Sequence, residues 1–283
     1  MIKNTFKTAI LLAALGGLLI GAGQLFFGSG GATIGLLLGL LFAGGSYWFS
    51  DKLAIKATRA EPLEEARAPH IYRMVRELTT SANMPMPRLY ITPEQQPNAF
   101  ATGRNDRRAV VAVTQGITEI LDENELRGVI AHELAHIRNR DILIGSVAAA
   151  VAMGITFSAR MLMWGAMFGG SDDEGGNPLG ALALALLAPI AAAVLQMAVS
   201  RSREFEADRV GVGIAGSGEG LARALEKLHT TSKRIPMNVN PAQEHAFIVS
   251  PLTGSKQSSF AKLFSTHPPV EERVARLRSP QMV

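Results

Sequence analysis

The sequence predicts a mainly α-helical membrane protein that carries a soluble α+β portion with a small β-sheet. Two observations predict it. Charged residues make up 18% of the 283 residues and hydrophobic ones 47%, with a mean hydropathy of +0.17; an ordinary soluble domain carries about 25% charged residues. The charges are also partitioned. Residues 8–50, 142–168 and 178–200, 93 in all, hold one of the 52 charged side chains, which leaves 51 among the other 190, about 27%. So much apolar sequence excludes a disordered chain, and the absence of cysteine excludes disulfides and thiolate-bound metals.

A helix needs roughly 20 apolar residues to cross the hydrocarbon core. Within the N-terminal part, 1–50, Lys7 to Phe27 and Gly31 to Phe49 each meet this, joined by Gly28-Ser29-Gly30-Gly31. A cleavable signal peptide has a shorter apolar region and no second span directly behind it, so a transmembrane hairpin is expected. Gly17/Gly21 and Gly35/Gly39 stand at the small-xxx-small spacing that lets helices pack closely, which suits a homo-oligomer.

The first soluble block, 51–141, starts with an amphipathic helix expected over Glu61 to Ser81, with Leu63, Ile71, Met74, Val75 and Leu78 on its apolar face. Three β-prone runs follow, Arg88 to Thr92, Asn98 to Thr102 and Ala109 to Thr114, the last two linked by the hairpin-like Gly103 to Arg108. Asp122, three residues before Glu125, predicts a capping box. No proline follows before the next apolar segment, so one continuous helix is expected to run down to the membrane. Segment 142–200 supplies a second transmembrane hairpin, Ile142 to Ala159 and Leu179 to Val199, with Arg160 snorkelling to the interface. The second soluble block is 201–283.

Lys3, Lys7, Lys52, Lys56, Arg59, Arg138, Arg140, Arg201 and Arg203 border the spans on one side, while the opposite loops are uncharged or carry Asp172, Asp173 and Glu174. The positive-inside rule then puts both termini and both soluble blocks in the cytoplasm. Basic residues beside spans account for the net charge of +4 without nucleic acid.

The chemistry is concentrated in His132-Glu133-Leu134-Ala135-His136. Histidines at i and i+4 share one helical face, about 6 Å apart, so both imidazoles reach one zinc ion. Glu133, offset by about 100° on that helix, is placed to take a proton from water without ligating the metal. On a second helix, Glu204 stands as third ligand, with Glu206 as the alternative. Asp208, one turn beyond Glu204, is placed to hydrogen-bond a ligating histidine. Gly211 to Gly216 fits a dinucleotide fingerprint but follows a helix rather than a strand, so a helix break is expected there. His70 and His229 read as surface residues, and His245 lies in a Pro- and Ser-containing stretch, 235–259.

The layout resembles the HtpX branch of the membrane zinc metalloproteases, relatives of the CAAX prenyl endopeptidases. The stretches that carry the resemblance are the N-terminal hairpin, Asn98 to Gly103, His132 to Asp141, Ser202 to Asp208, and Phe264 to Pro269 with Glu271 to Arg276. It implies a zincin-like α+β catalytic domain, one zinc ion at His132, His136 and Glu204, and Glu133 as general base. It also implies that Asn98, Ala99, Phe100 and Ala101 form an edge strand that pairs with the substrate backbone. His267, held before Pro268 and Pro269, is the candidate second donor to the oxyanion. The implied function is stress-linked quality control: hydrolysis of unfolded or misfolded membrane proteins at the cytoplasmic face of a bacterial inner membrane. The alternatives are a zinc-binding membrane scaffold and a transporter-like protein without proteolytic activity. Retention of Glu133 speaks against the first, and the lack of buried ionisable pairs in the spans speaks against the second.

Overall fold

A computed structural model describes residues 51–141, 201–232 and 268–279, together with Thr33, Leu37, Leu41, Gly45, Trp48, Phe49, Arg234, Ile235 and Ile248. The second expected span is represented by its six isolated helical positions; the other three spans, His245 and His267 lie outside the described residues. Among the described residues no helix is long and apolar enough to cross a membrane.

After a helix over 51–57, the chain forms β1 (Glu61–Pro62), α1 (Pro69–Ser81), β2 (Arg88–Thr92), β3 (Ala99–Thr102), β4 (Val110–Thr114) and α2 (Gln115–Ile120). Then come α3 (Glu123–Arg138), α4 (Arg201–Ala215), α5 (Glu219–Ser232) and α6 (Val270–Leu277). The helix expected from Glu61 begins only at Pro69. Pro69 occupies the first turn, where its fixed φ favours initiation, and Ala68 before it has φ −141, outside the helical region. Glu61 and Pro62 instead pair antiparallel with Ile91 and Tyr90. From Pro69 on the periodicity holds, and Ile71, Met74, Val75 and Leu78 are buried.

The sheet has the order β1-β2-β4-β3, with β2 parallel to β4 and β3 antiparallel to β4. Every residue of Val110–Thr114 is buried, as expected of a strand covered on both faces. Val111 and Val113 face the main core, whereas Ala112 and Phe100 pack on the other face against Ala54 and Tyr90. β3 is therefore an edge strand. Its return to β4 depends on Gly103, with φ +130, where a Cβ would lie 2.6 Å from the Arg108 carbonyl oxygen.

α3 is the central helix, packed against α4 and α5. The capping box forms in both directions: the Asp122 side chain accepts from the Glu125 amide, and the Glu125 side chain accepts from the Asp122 amide. Two glycines let its neighbours approach: a Cβ on Gly128 would collide with the α5 backbone at Leu221, and one on Gly211 of α4 would lie 3.2 Å from His132 Cα. Gly211 and Gly213 lie within α4, so the break expected in this run falls at Gly216, with φ +84.

The continuous helix into the membrane does not form. α3 ends at Arg138, Asn139 caps it, and Arg140 turns through φ +61 before Asp141. Arg140 is exposed and takes the left-handed conformation that ends many helices one residue past the cap. The turn folds Asp141 back towards α3.

Candidate metal centre

α3 and α4 cross with His132, His136 and Glu204 facing one point, and one ligand atom from each lies within 4.8 Å of the others. His132 Nε2 and His136 Nε2 are 3.1 Å apart. Glu204 Oε2 is 3.7 Å from the first and Oε1 is 3.5 Å from the second. Tetrahedral zinc with ligands at about 2.0–2.2 Å holds neighbouring donors roughly 3.4 Å apart, so the imidazole pair, with one Glu204 oxygen facing each ring, is spaced for such an ion. Two imidazoles and one carboxylate are also a donor set that suits zinc.

Each imidazole is oriented through its other nitrogen. Asp208 Oδ1 lies 2.9 Å from His132 Nδ1, and Asp141 Oδ2 lies 3.1 Å from His136 Nδ1. Both contacts fix the tautomer that leaves Nε2 to ligate. Asp208 is the residue whose position the helical spacing predicts. Asp141 becomes a partner only because Arg140 breaks the helix, so helical periodicity gave no signal for it. Glu206, the alternative ligand, is taken up by Arg209 at 2.6 Å on the exposed side of α4.

Arg273 on α6 is the functional residue that the sequence analysis did not single out. It is 1% exposed and grips Asp208 through Nε at 2.9 Å and Nη2 at 2.7 Å. Its Nη1 lies 3.6 Å from Glu204 Oε2. The available signal was its place among Val270, Val274 and Leu277, where i, i+3, i+4, i+7 spacing turns a cation inward. α6 is held there by Arg276 stacked 3.7 Å over the Phe205 ring and by Arg278, which bridges Glu219 and Glu226 of α5.

Charge and burial set the protonation states. Burial lifts Glu133 to about 7, only partly offset by neighbouring cations and by a hydrogen bond donated by the Ala101 amide. Burial works against a charged His136, yet Glu204 and Asp141 overcome it and push this group up to about 9. For His132, burial and the Arg273 charge lower the pKa. Burial would raise Asp208, but Arg273 and His132 hold it at about 2.

The edge strand stands beside this centre. Ala101 reaches Glu133 through its amide, and Ala99 O accepts a hydrogen bond of 3.1 Å from the Ile248 amide. The Ile248 carbonyl in turn accepts from Arg273 Nη1 at 3.4 Å. Phe100 turns its ring to the opposite face of the sheet, and Asn98 is buried, its amide donating to Thr114 Oγ1. His70 is exposed, and His229 lies near Glu271 at 3.9 Å; neither approaches the three converging residues.

Known proteins resemble this chain over nearly its whole length. The profile described as peptidase family M48 matches residues 65–281. The chain is 54% identical over 282 residues to a protein from Syntrophobacter fumaroxidans named protease HtpX homolog, covering 98% of this chain and 99% of that one. A protein of the same name from Pelotomaculum thermopropionicum is 52% identical over 280 residues, with 98% and 99% covered. Among solved structures, the crystal structure of S. mikatae Ste24p shares the fold, with a TM-score of 0.55 at 17% identity over 98% of this chain and 66% of that one.

Proposed function

The chain belongs to peptidase family M48 and is a metalloprotease, and we propose that it is a one-zinc endopeptidase of the bacterial inner membrane. Its substrates on this reading are unfolded or misfolded membrane proteins, cleaved at the cytoplasmic face. The observation that carries it is the convergence of His132, His136 and Glu204 beside a buried Glu133.

Zinc at these three residues would supply a Lewis acid that polarises water and the scissile carbonyl. The rest is the work of the protein. Glu133, buried and raised to about 7, has the affinity a general base needs near neutral pH: it takes the proton of the attacking water and returns it to the leaving amine. The Ala101 amide fixes that carboxylate. Asp208 and Asp141 hold the two imidazoles in register. Asn98 to Ala101 offer a strand edge to an extended substrate, and His267 is assigned as donor to the developing oxyanion. Backbone pairing selects extended chain rather than a particular sequence, which suits quality control. The organisation proposed is a membrane hairpin, 1–50, a catalytic part, 51–141, a second hairpin, 142–200, and a second catalytic part, 201–283, with both termini cytoplasmic.

The test compares wild type with Glu133→Ala on an unfolded membrane protein, with bound zinc measured in both. Wild type is expected to cleave and the variant to bind zinc without cleaving. Equal cleavage by the two, or zinc in neither, would overturn the reading.

A further inference from the structure

Among the described residues, five of the six large exposed apolar side chains lie between 37 and 53: Leu37, Leu41, Trp48, Phe49 and Leu53, at 45–69% exposure. Leu37, Leu41 and Trp48 share one helical face and Phe49 and Leu53 form an i, i+4 pair beside it, together too apolar to leave in water without a purpose.

The polar surroundings of that strip are cationic. Arg104 stacks 4.2 Å over the Trp48 ring and donates to the Trp48 carbonyl at 3.4 Å. Lys52 lies 5.6 Å from the Phe49 ring centre. The nearby carboxylates are engaged elsewhere, Asp51 by Arg88 and Glu94 by Arg59. Asp106, the one acidic residue on the Gly103 to Arg108 loop, accepts from the Arg107 amide. Lys52, Lys56, Arg104 and Arg107 form no ion pair among the described residues. Indole, exposed aliphatic groups and unneutralised cations together match the phosphate level of a bilayer rich in anionic lipid.

We propose that Arg104 and Lys52, beside Trp48 and Phe49 respectively, form a seat for the phosphates of anionic phospholipids. Lipid held there fixes the loop that leaves β3, and so makes proteolysis depend on lipid charge. The coupling path is short. Arg104 stands three residues beyond Ala101, whose amide holds Glu133, with only Thr102 and Gly103 between. This proposal rests on the membrane-protease reading above.

The test uses the full-length zinc-loaded protein in phosphatidylcholine vesicles, with or without 30% phosphatidylglycerol (about a third, enough to charge the surface). Anionic lipid is expected to raise kcat/KM roughly five-fold or more, and about 0.5 M salt to remove the gain. Lys52→Ala/Arg104→Ala is expected to match wild type in neutral vesicles and to lose the stimulation in charged ones. Equal wild-type rates in both vesicles, or full stimulation of the double variant, overturns the proposal. Inorganic phosphate added to neutral vesicles is expected to do nothing; if it reproduces the stimulation, a soluble anion and not a lipid fills the seat. A readout independent of proteolysis is quenching of Trp48 in a Trp164→Phe background by brominated phosphatidylglycerol, expected to exceed quenching by brominated phosphatidylcholine. Equal quenching by the two lipids refutes the seat even if proteolysis is intact. Preferential quenching with no cleavage by wild type would locate the failure in the protease reading instead.

Discussion

His132 Nδ1 lies 2.9 Å from Asp208 Oδ1, and Arg273 Nη2 reaches the same oxygen at 2.7 Å, 3.4 Å from the imidazole. Three helices, α3, α4 and α6, therefore meet at one buried charge chain, cation to anion to imidazole. The carboxylate is dry and still ionised because the guanidinium and the imidazole together outweigh its desolvation. Geometry at the metal ligands is thus set partly by residues more than 60 positions apart in sequence.

Asp208→Asn is expected to weaken zinc binding by about 10- to 100-fold. The amide no longer holds His132 with a charge-assisted bond, and its NH2 group can face the Nδ1 proton. Competition with a chelator measures the change. An affinity equal to wild type would show that Asp208 is only a structural anion.

Arg273→Met leaves Asp208 charged and buried without its cation, and removing one partner of a buried pair costs about 3–5 kcal/mol. The melting temperature of the variant in detergent is expected to drop by roughly 6–20 °C, since about 2–4 °C follows each kcal/mol for a large domain. Arg273→Lys restores the charge but not the two-pronged grip, so it should recover only part of the loss. Asp208→Asn/Arg273→Met, with both charges gone, should be more stable than Arg273→Met alone. If all three melt together with wild type, the chain of charges carries no stability.

These residues also mark the limit of what the sequence discloses. The ligand spacing, the capping box at Asp122 and the Glu204/Asp208 pair are local, fixed by 3.6-residue periodicity, and could be read directly. The family resemblance likewise follows motif order along the chain. Arg273 could not be read in this way, because its partners come from α3 and α4 and only tertiary packing brings them together. Asp141 was missed for the opposite reason: an expected helix hid the backbone reversal at Arg140 that makes the contact. The start of α1 shows the same weakness, since apolar periodicity continues through Leu63 while Pro69 decides where the helix begins.

The metal-free protein should lose stability as pH rises from 5 to 9. Glu133, with a folded pKa of about 7 above its ordinary 4.5, gives up its proton less readily in the fold, so the penalty grows from about pH 4.5 and is complete above pH 7. His136, raised to about 9, contributes stability that is full below about 6.5 and is lost as pH climbs through 9. Asp208 acts at the other end: its contribution, present above about 4, disappears as pH falls through about 2. Thermal unfolding of the chelated protein at pH 5 and pH 9 checks the sign. Zinc loading should reverse the alkaline trend, because ligands must be deprotonated to bind, and uptake at pH 7 should release a proton that calorimetry in two buffers detects. A chelated protein that is more stable at pH 9 than at pH 5 would contradict this assignment of charges.

On the proposed reading an extended substrate pairs along the outer edge of β3. Phe100 pairs with Ala112 and Thr102 with Val110, and alternation along an antiparallel pair turns the backbone groups of Ala99 and Ala101 outward. Neither is idle: the Ala101 amide serves Glu133, and the Ala99 carbonyl receives the Ile248 amide. A substrate strand added to this edge must take the Ala99 carbonyl from Ile248. Ile248→Pro removes the competing N–H and trims the buried side chain, while Ile248→Ala trims the side chain and keeps the N–H. The proline variant is therefore expected to show a lower KM for an unfolded substrate than the alanine variant, with similar kcat and equal zinc content. A neutral hydrogen bond contributes about 0.5–1.5 kcal/mol, which sets the difference at roughly two- to ten-fold. Equal KM values for the two variants would mean that substrate does not pair along β3 at Ala99, and the edge strand would lose its assigned role.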